Sequence, residues 1–122
     1  MASLYQQHGT LSRGAFAFAV LVSLAVLFAP PSDVPSSPPG VDKVVHVGLF
    51  LLLALTARWA GIGRATVAGL LVLYAAVSEV VQGLEVVGRD ASVADWGADV
   101  LGVLTGLLVW TALTRARVPS AR

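Results

Sequence analysis

The chain has 122 residues, of which 57% are hydrophobic and only 12% are charged, and its mean hydropathy is +0.82. Soluble domains carry about 25% charged residues, so this composition predicts an integral membrane protein of one domain. A net charge of +1 argues against a nucleic-acid partner, and the lack of cysteine excludes disulfides, thiolate nucleophiles and cysteine-bound metals.

Four apolar stretches approach the roughly 20 residues that a membrane-spanning helix needs. They cover about residues 14–29, 44–60, 65–84 and 96–114. Proline lacks the donor that a continuing helix needs, so the first stretch ends at Pro30. The sequence therefore predicts an all-α bundle of four transmembrane helices, which forms a single domain over residues 1–122.

The first apolar stretch has a second interpretation, because Arg13 precedes it near the N-terminus, as in a signal peptide. A cleavage site after Ala29 would need a small residue three positions before the cut, and the chain has the larger Val26–Leu27–Phe28 there. We therefore predict a spanning helix with a scaffolding role. The Pro- and Ser-rich segment 30–41 is predicted to be an exposed connector.

Basic residues predict the orientation, because Lys and Arg concentrate on the cytoplasmic side of membrane proteins. With the N-terminus inside, six of the eight basic residues are cytoplasmic, and Lys43 and Arg89 are outside. An even number of spans returns the C-terminus to the cytoplasm. The sequence thus predicts a multi-pass protein of the cell membrane with both termini cytoplasmic.

Polar residues concentrate at the predicted outer ends of the second, third and fourth helices. Each of these helices carries a polar pair three or four residues apart, which places the pair on one helix face. The three pairs can therefore converge, and Arg89 is expected beside Asp95. The predicted ligand-binding cleft comprises Asp42, Lys43, His46, Glu79, Gln82, Arg89, Asp95 and Asp99.

Two interpretations of this cluster stay open. An ionised group in the hydrocarbon core costs at least ~2.5 to 3.5 kcal/mol, so such groups face the bundle interior, a partner or water. In the structural interpretation they hold the helices together, with Asp95 capping the fourth helix. In the functional interpretation they line an outward-facing pocket, in which general acid/base or ion-binding groups are supplied by Glu79, Asp95 and Asp99 with His46. The candidate catalytic residues among them are Glu79, Asp95 and His46.

The fourth predicted helix also carries a small-residue motif, Gly102-x-x-x-Gly106, on the same face as Asp99. Small residues at this spacing let two helix backbones approach closely. We therefore predict that this face packs against another helix of the chain.

The polar residues and glycines together form a recognisable constellation. It comprises Asp42-Lys43-x-x-His46, Phe50, Glu79-x-x-Gln82, Arg89, Asp95, residue 99, Gly102 and Gly106. Its order and spacing resemble the VanZ-like family of bacterial membrane proteins over roughly residues 41–110. The resemblance implies a small multi-span protein, and the family's founding member is associated with low-level resistance to the lipoglycopeptide teicoplanin. The family commonly has Asn where this chain has Asp99, which adds a negative charge here.

Three functions are compatible with these features. The first is a non-enzymatic envelope protein that binds or shields a lipid or lipid-linked wall component at the outer leaflet. The second is a membrane-embedded hydrolase or transferase for a lipid-linked substrate. It would use a divalent cation held by His46, Asp95 and Glu79, or Glu79 as base with Arg89 steadying an anionic transition state. The third is a proton-coupled transporter, which with four spans requires an oligomer.

The predicted orientation can be checked by cysteine accessibility. Because the connector 30–41 is predicted outside and the C-terminus inside, an impermeant thiol reagent on intact cells should label Ser36→Cys and spare Ser120→Cys. The opposite labelling pattern would overturn the orientation.

Overall fold

The computed structural model of the protein describes residues 9–29, 40–84 and 93–117. They form four α-helices and, within these ranges, no strand. The helices are α1 (Thr10–Leu27), α2 (Val41–Trp59), α3 (Arg64–Gln82) and α4 (Val93–Arg117). The predicted all-α class is confirmed, and each helix lies within a few residues of its predicted stretch.

The starts of α2 and α4 differ from prediction in a way that matters for the site. Both helices begin three residues earlier than expected, so Asp42 and Lys43 belong to the first turn of α2. Asp95 likewise lies inside the first turn of α4, so the expectation that it caps this helix is wrong. There its carboxylate still faces the positive end of the helix dipole.

Three of the four helices, α1, α3 and α4, are long and apolar enough to cross a membrane. The helix α2 has a similar length, but it carries Asp42, Lys43 and Arg58 near its ends. The helix α4 also carries charges, but its 25 residues still include a sufficiently long apolar stretch, whereas the 19 residues of α2 do not. Whether α2 also crosses the membrane stays a prediction.

A tight turn at residues 60–63 reverses the chain between α2 and α3. Gly61 adopts a φ of 98°, a left-handed conformation that favours glycine. The Arg58 guanidinium donates a hydrogen bond to the carbonyl oxygen of Ile62 at 2.7 Å, which satisfies a backbone group just beyond the helix end. This turn makes α2 and α3 run in opposite directions.

The closest helix pair in the bundle is α2 with α4, and two glycines of α4 permit the approach. A Cβ atom built on Gly106 would lie 2.8 Å from the carbonyl oxygen of Leu51 and 2.8 Å from the Cβ of Ala54. A Cβ on Gly102 would overlap the carbonyl oxygen of Val47. The prediction that the glycine face packs against another helix of this chain is confirmed.

The core lies between the helices and is built from apolar side chains of all four. Its buried members are Ala19, Leu27, Leu49, Phe50, Leu53, Ala54, Ala57, Val67, Leu71, Ala75, Val103 and Leu107. Other large apolar side chains point outward, including Phe18, which is 67% exposed, and Leu108, which is 71% exposed. An apolar exterior of this kind suits a lipid environment, because lipid does not penalise exposed hydrocarbon.

The helix α1 is attached to α3 by polar contacts. The hydroxyl groups of Ser23 and Tyr74 lie 2.8 Å apart, and the Gln82 side-chain amide donates to the carbonyl oxygen of Leu27 at 2.7 Å. These bonds satisfy polar groups inside an apolar bundle, where unsatisfied ones would be costly. They fit the scaffolding role expected for the first helix.

The close approach of α2 and α4 leads to a stability prediction. Gly106→Ala should destabilise the fold by about 1–3 kcal/mol, because the added methyl group meets the α2 backbone, which cannot rotate away. The control is Gly97→Ala in the same helix, where a Cβ has nothing within 4 Å. Thermal unfolding in detergent should show a lowered midpoint for Gly106→Ala alone; equal midpoints for the two variants would contradict the packing argument.

Candidate functional site

Three buried polar side chains meet at one end of the bundle. His46 lies near the start of α2, Glu79 near the end of α3 and Asp99 near the start of α4. Because α3 runs antiparallel to α2, its C-terminal end returns to the level at which α2 begins. His46 is 3% exposed, Glu79 is 6% exposed and Asp99 is 0% exposed. We call these three residues the polar cluster.

The hydrogen bond between His46 and Asp99 joins α2 to α4 inside this cluster. His46 Nδ1 lies 2.6 Å from Asp99 Oδ1, a length typical of a charge-assisted bond. The donor in this bond depends on where the proton lies: Nδ1 donates when it is protonated, and the carboxyl donates when Asp99 is protonated. The other ring nitrogen, Nε2, is directed toward Asp95 and lies 3.8 Å from its Oδ2.

A charged rim borders the polar cluster at the start of α2 and α4. Lys43 Nζ lies 2.8 Å from Asp42 Oδ2 and also forms an ion pair with the Asp95 carboxylate. The hydrogen bonds that Lys43 donates to Asp42 and Asp95 raise the pKa of Lys43, and the bond that Asp42 accepts from Lys43 lowers the pKa of Asp42. Asp42 is exposed and Lys43 is partly exposed, whereas Asp95 is mostly covered. Lys43 therefore stays charged at neutral pH.

Glu79 and Gln82 bring the end of α3 to the site. A carboxylate oxygen of Glu79 lies within 4.8 Å of a ring nitrogen of His46 and of a carboxylate oxygen of Asp99. Gln82 is buried and directs its amide nitrogen to α1, so one of its two polar groups serves helix packing. The Gln82 bond supports the structural interpretation for this residue.

One acceptor atom in the polar cluster stands out. Asp99 Oδ2 is buried and has no hydrogen-bond partner among the residues that the structure describes. A buried polar group left in this state costs about 1–3 kcal/mol. The free energy of the folded protein would fall if a donor or a cation met this oxygen.

The structure assembles most of the predicted cleft, with two differences in grouping. The sequence predicts a cation held by His46, Asp95 and Glu79, whereas Asp99 completes the tightest group in the structure. Asp95 instead pairs with Lys43 at the rim. The predicted contact between Arg89 and Asp95 falls outside the described residues, as do Arg89 itself and most of the connector 30–41.

Sequence reasoning missed two contacts. The pairing of Ser23 with Tyr74 had no signal, because one hydroxyl in an apolar helix can meet several partners. The pairing of His46 with Asp99 did have a signal in the sequence. Asp99 shares the glycine face of α4, and that face is expected to make the closest contact with a neighbouring helix.

The opposite end of the bundle has a different chemistry. A largely apolar cavity of about 550 Å³ lies there between α1 and the turn after α2. Its lining includes Phe16, Val20 and Ile62, with Arg13 at its edge. Among the described residues, the buried ionisable groups are thus confined to the end that holds the polar cluster.

Comparison with family models, with curated proteins and with solved structures gave no match to this chain.

The buried hydrogen bond leads to a second stability prediction. His46→Ala and Asp99→Ala should each cost about 1–3 kcal/mol, because each leaves the partner's polar group buried without its bond. The double variant should cost less than the sum of the two losses. The measurement is a double-mutant cycle of unfolding free energies in detergent.

The control for this cycle is Asp42→Ala, which removes an exposed carboxylate from the same helix as His46. It should change stability by less than about 0.5 kcal/mol. Additive losses for His46 and Asp99 would show that their hydrogen bond contributes nothing.

Proposed function

We propose that this chain is a VanZ-like protein of the bacterial cell membrane whose polar cluster and rim bind or shield a lipid-linked envelope component. The observation that carries the proposal is the convergence of α2, α3 and α4 at one end of an apolar bundle, where they bury His46, Glu79 and Asp99. Buried ionisable groups in a membrane protein are expensive and commonly mark a functional site.

The orientation of the bundle supports an outer-leaflet site. Four arginines lie at the end of the bundle opposite the polar cluster: they are Arg13, Arg58, Arg64 and Arg115. Basic residues favour the cytoplasmic side, so the polar cluster faces outward in this proposal. It also requires that α2 cross the membrane with α1, α3 and α4, which its apolar middle allows.

The ligand chemistry follows from the charges at the rim. Lys43 is partly exposed, stays charged and lies at the rim of the polar cluster. It can attract the phosphate of a lipid-linked component at the membrane surface. The four carboxylates of the predicted cleft exceed Lys43 and Arg89 by a formal charge of −2 with neutral His46, so phosphate binding also requires compensation of negative charge.

The proposed membership in the VanZ-like family gives this proposal a cellular readout. A protein that binds or shields a lipid-linked wall component should alter sensitivity to lipophilic glycopeptide antibiotics. Expression of the chain in a susceptible bacterial host should therefore raise resistance to teicoplanin.

A second candidate function is favoured by the geometry of His46. If Nδ1 donates the hydrogen bond to Asp99, Nε2 is the basic nitrogen, which is the arrangement of a general base oriented by a carboxylate. The corresponding activity is hydrolysis or group transfer on a lipid-linked substrate. Turnover of such a substrate by purified protein, lost in His46→Ala, would favour this candidate over binding alone.

The binding proposal can be tested with one lysine variant and one arginine variant, which remove a positive charge at opposite ends of the bundle. Lys43→Gln should lower the amount of co-purifying phosphate-bearing lipid about fivefold, because one cation near a membrane surface contributes about 1 kcal/mol. Arg64→Gln removes the same charge at the opposite end of the bundle and should leave the amount of co-purifying lipid unchanged. The measurement is quantitative lipid mass spectrometry of detergent-purified protein.

Two outcomes would contradict the proposal. One is that no specific lipid is enriched with the wild-type protein. The other is that Lys43→Gln and Arg64→Gln reduce the lipid equally, since that would indicate a general charge effect rather than a site.

A further inference from the structure

The polar cluster has the composition of a metal site. His46, Glu79 and Asp99 each offer one ligand atom, and these atoms lie within 4.8 Å of one another. The donor set comprises an imidazole nitrogen and two carboxylate oxygens, a combination that binds transition metals in proteins. Each of the three residues comes from a different helix, so the bundle itself holds the donors in place.

The second observation is the state of Asp99. Its side chain is fully buried, and its Oδ2 has no hydrogen-bond partner within the described part of the chain. His46 meets only the other oxygen, Oδ1. A cation at the polar cluster would give Oδ2 the partner that the described residues do not supply.

The charge of the three side chains points the same way. Two carboxylates and a neutral imidazole sum to −2, which a divalent cation reduces to zero. Compensation of this kind matters most in a buried, apolar setting, where uncompensated charge is costly. Among the described residues the nearby cation is Lys43, which is engaged with Asp42 and Asp95 at the rim.

We propose that His46, Glu79 and Asp99 bind one divalent transition-metal ion, with Zn²⁺ held more tightly than Mn²⁺. Imidazole and carboxylate ligands suit both ions, and such sites usually bind Zn²⁺ more tightly than Mn²⁺. Mg²⁺ binds weakly here, because it gives up its water reluctantly and the three ligands are buried.

Small side-chain movements bring the ligands to bonding distance. Donor atoms around a tetrahedral Zn²⁺ are about 3.4 Å apart, so a pair at the 4.8 Å limit must close by roughly 1.4 Å. Rotation of the Glu79 side chain supplies such a movement. The hydrogen bond between His46 and Asp99 is then exchanged for bonds to the ion, and the proton of that bond moves to the other ring nitrogen or is released to solvent.

The metal site deepens the proposed function, because a bound cation would compensate the carboxylates and attract the phosphate of a lipid-linked component. That link rests on the proposed function. Binding of the metal itself does not, and it can be measured in the absence of lipid.

The test is a titration of the full chain, stripped of metal, in detergent and carrying an affinity tag without histidine. Isothermal titration and elemental analysis should give one Zn²⁺ per chain. His46→Ala and Asp99→Asn should each weaken Zn²⁺ binding at least about tenfold. Loss of a residue that only hydrogen-bonds to a metal ligand already costs about tenfold, so loss of a ligand should cost no less. Zn²⁺ should also raise the thermal unfolding midpoint of the wild-type protein.

The chain offers a matched control for each variant. His8→Ala removes the other histidine of the sequence, and Asp33→Asn removes a carboxylate of the connector 30–41. Both should bind Zn²⁺ as the wild type does. The proposal is overturned if folded wild-type protein shows no saturable binding, or if the controls lose as much affinity as His46→Ala and Asp99→Asn.

A measurement on the wild type alone covers the case in which the variants do not fold. Co²⁺ should bind with a visible absorption band that saturates at one ion per chain and disappears on addition of Zn²⁺. Absence of that band would overturn the metal site.

Removal of metal separates the two proposals. If chelation releases both metal and phosphate-bearing lipid, the metal serves lipid binding. If metal binds as expected and lipid is retained after chelation, the metal's role in lipid binding is wrong. If lipid binds but no metal does, the metal site is wrong and the proposed function stands.

Discussion

The close approach of α4 to α2 determines the rest of this structure. Gly102 and Gly106 leave no side chain between α4 and the α2 backbone, so the two helices meet at a distance that ordinary residues would prevent. Asp99 lies one turn before Gly102 on the same face, and His46 lies beside the carbonyl that Gly102 contacts, Val47. The backbone contact therefore brings the carboxylate within 2.6 Å of the imidazole.

The helix pair also explains why the polar cluster is buried. Phe50 is fully buried one turn beyond His46, and Val103 is fully buried one turn beyond Asp99. These apolar side chains close the cluster from the middle of the bundle, while Lys43 and Asp95 form its rim. The low polarity around His46 and Asp99 strengthens their interaction and raises the cost of leaving either one unpaired.

The helices α1 and α3 complete the site from the other side. Glu79 reaches the polar cluster because Gln82, one turn later, holds the end of α3 to the end of α1. Ser23 and Tyr74 form a second attachment nearer the middle of the bundle. The first helix thus contributes no ionisable group to the site, but it holds the helix that contributes Glu79.

The sequence by itself determined the helical class, the approximate helix positions and the end at which the polar residues collect. Apolar length and turn residues are local properties, and a spacing of three or four residues places side chains on one face regardless of the partner helix. The glycine spacing likewise identified the contact face of α4. Only the tertiary structure decided that His46 pairs with Asp99 while Lys43 pairs with Asp95. Asp95 and Asp99 are four residues apart on one face of α4, so the spacing alone does not decide which of them meets His46. That choice depends on how far α4 slides along α2, which the fit of Gly102 and Gly106 against Val47 and Leu51 sets.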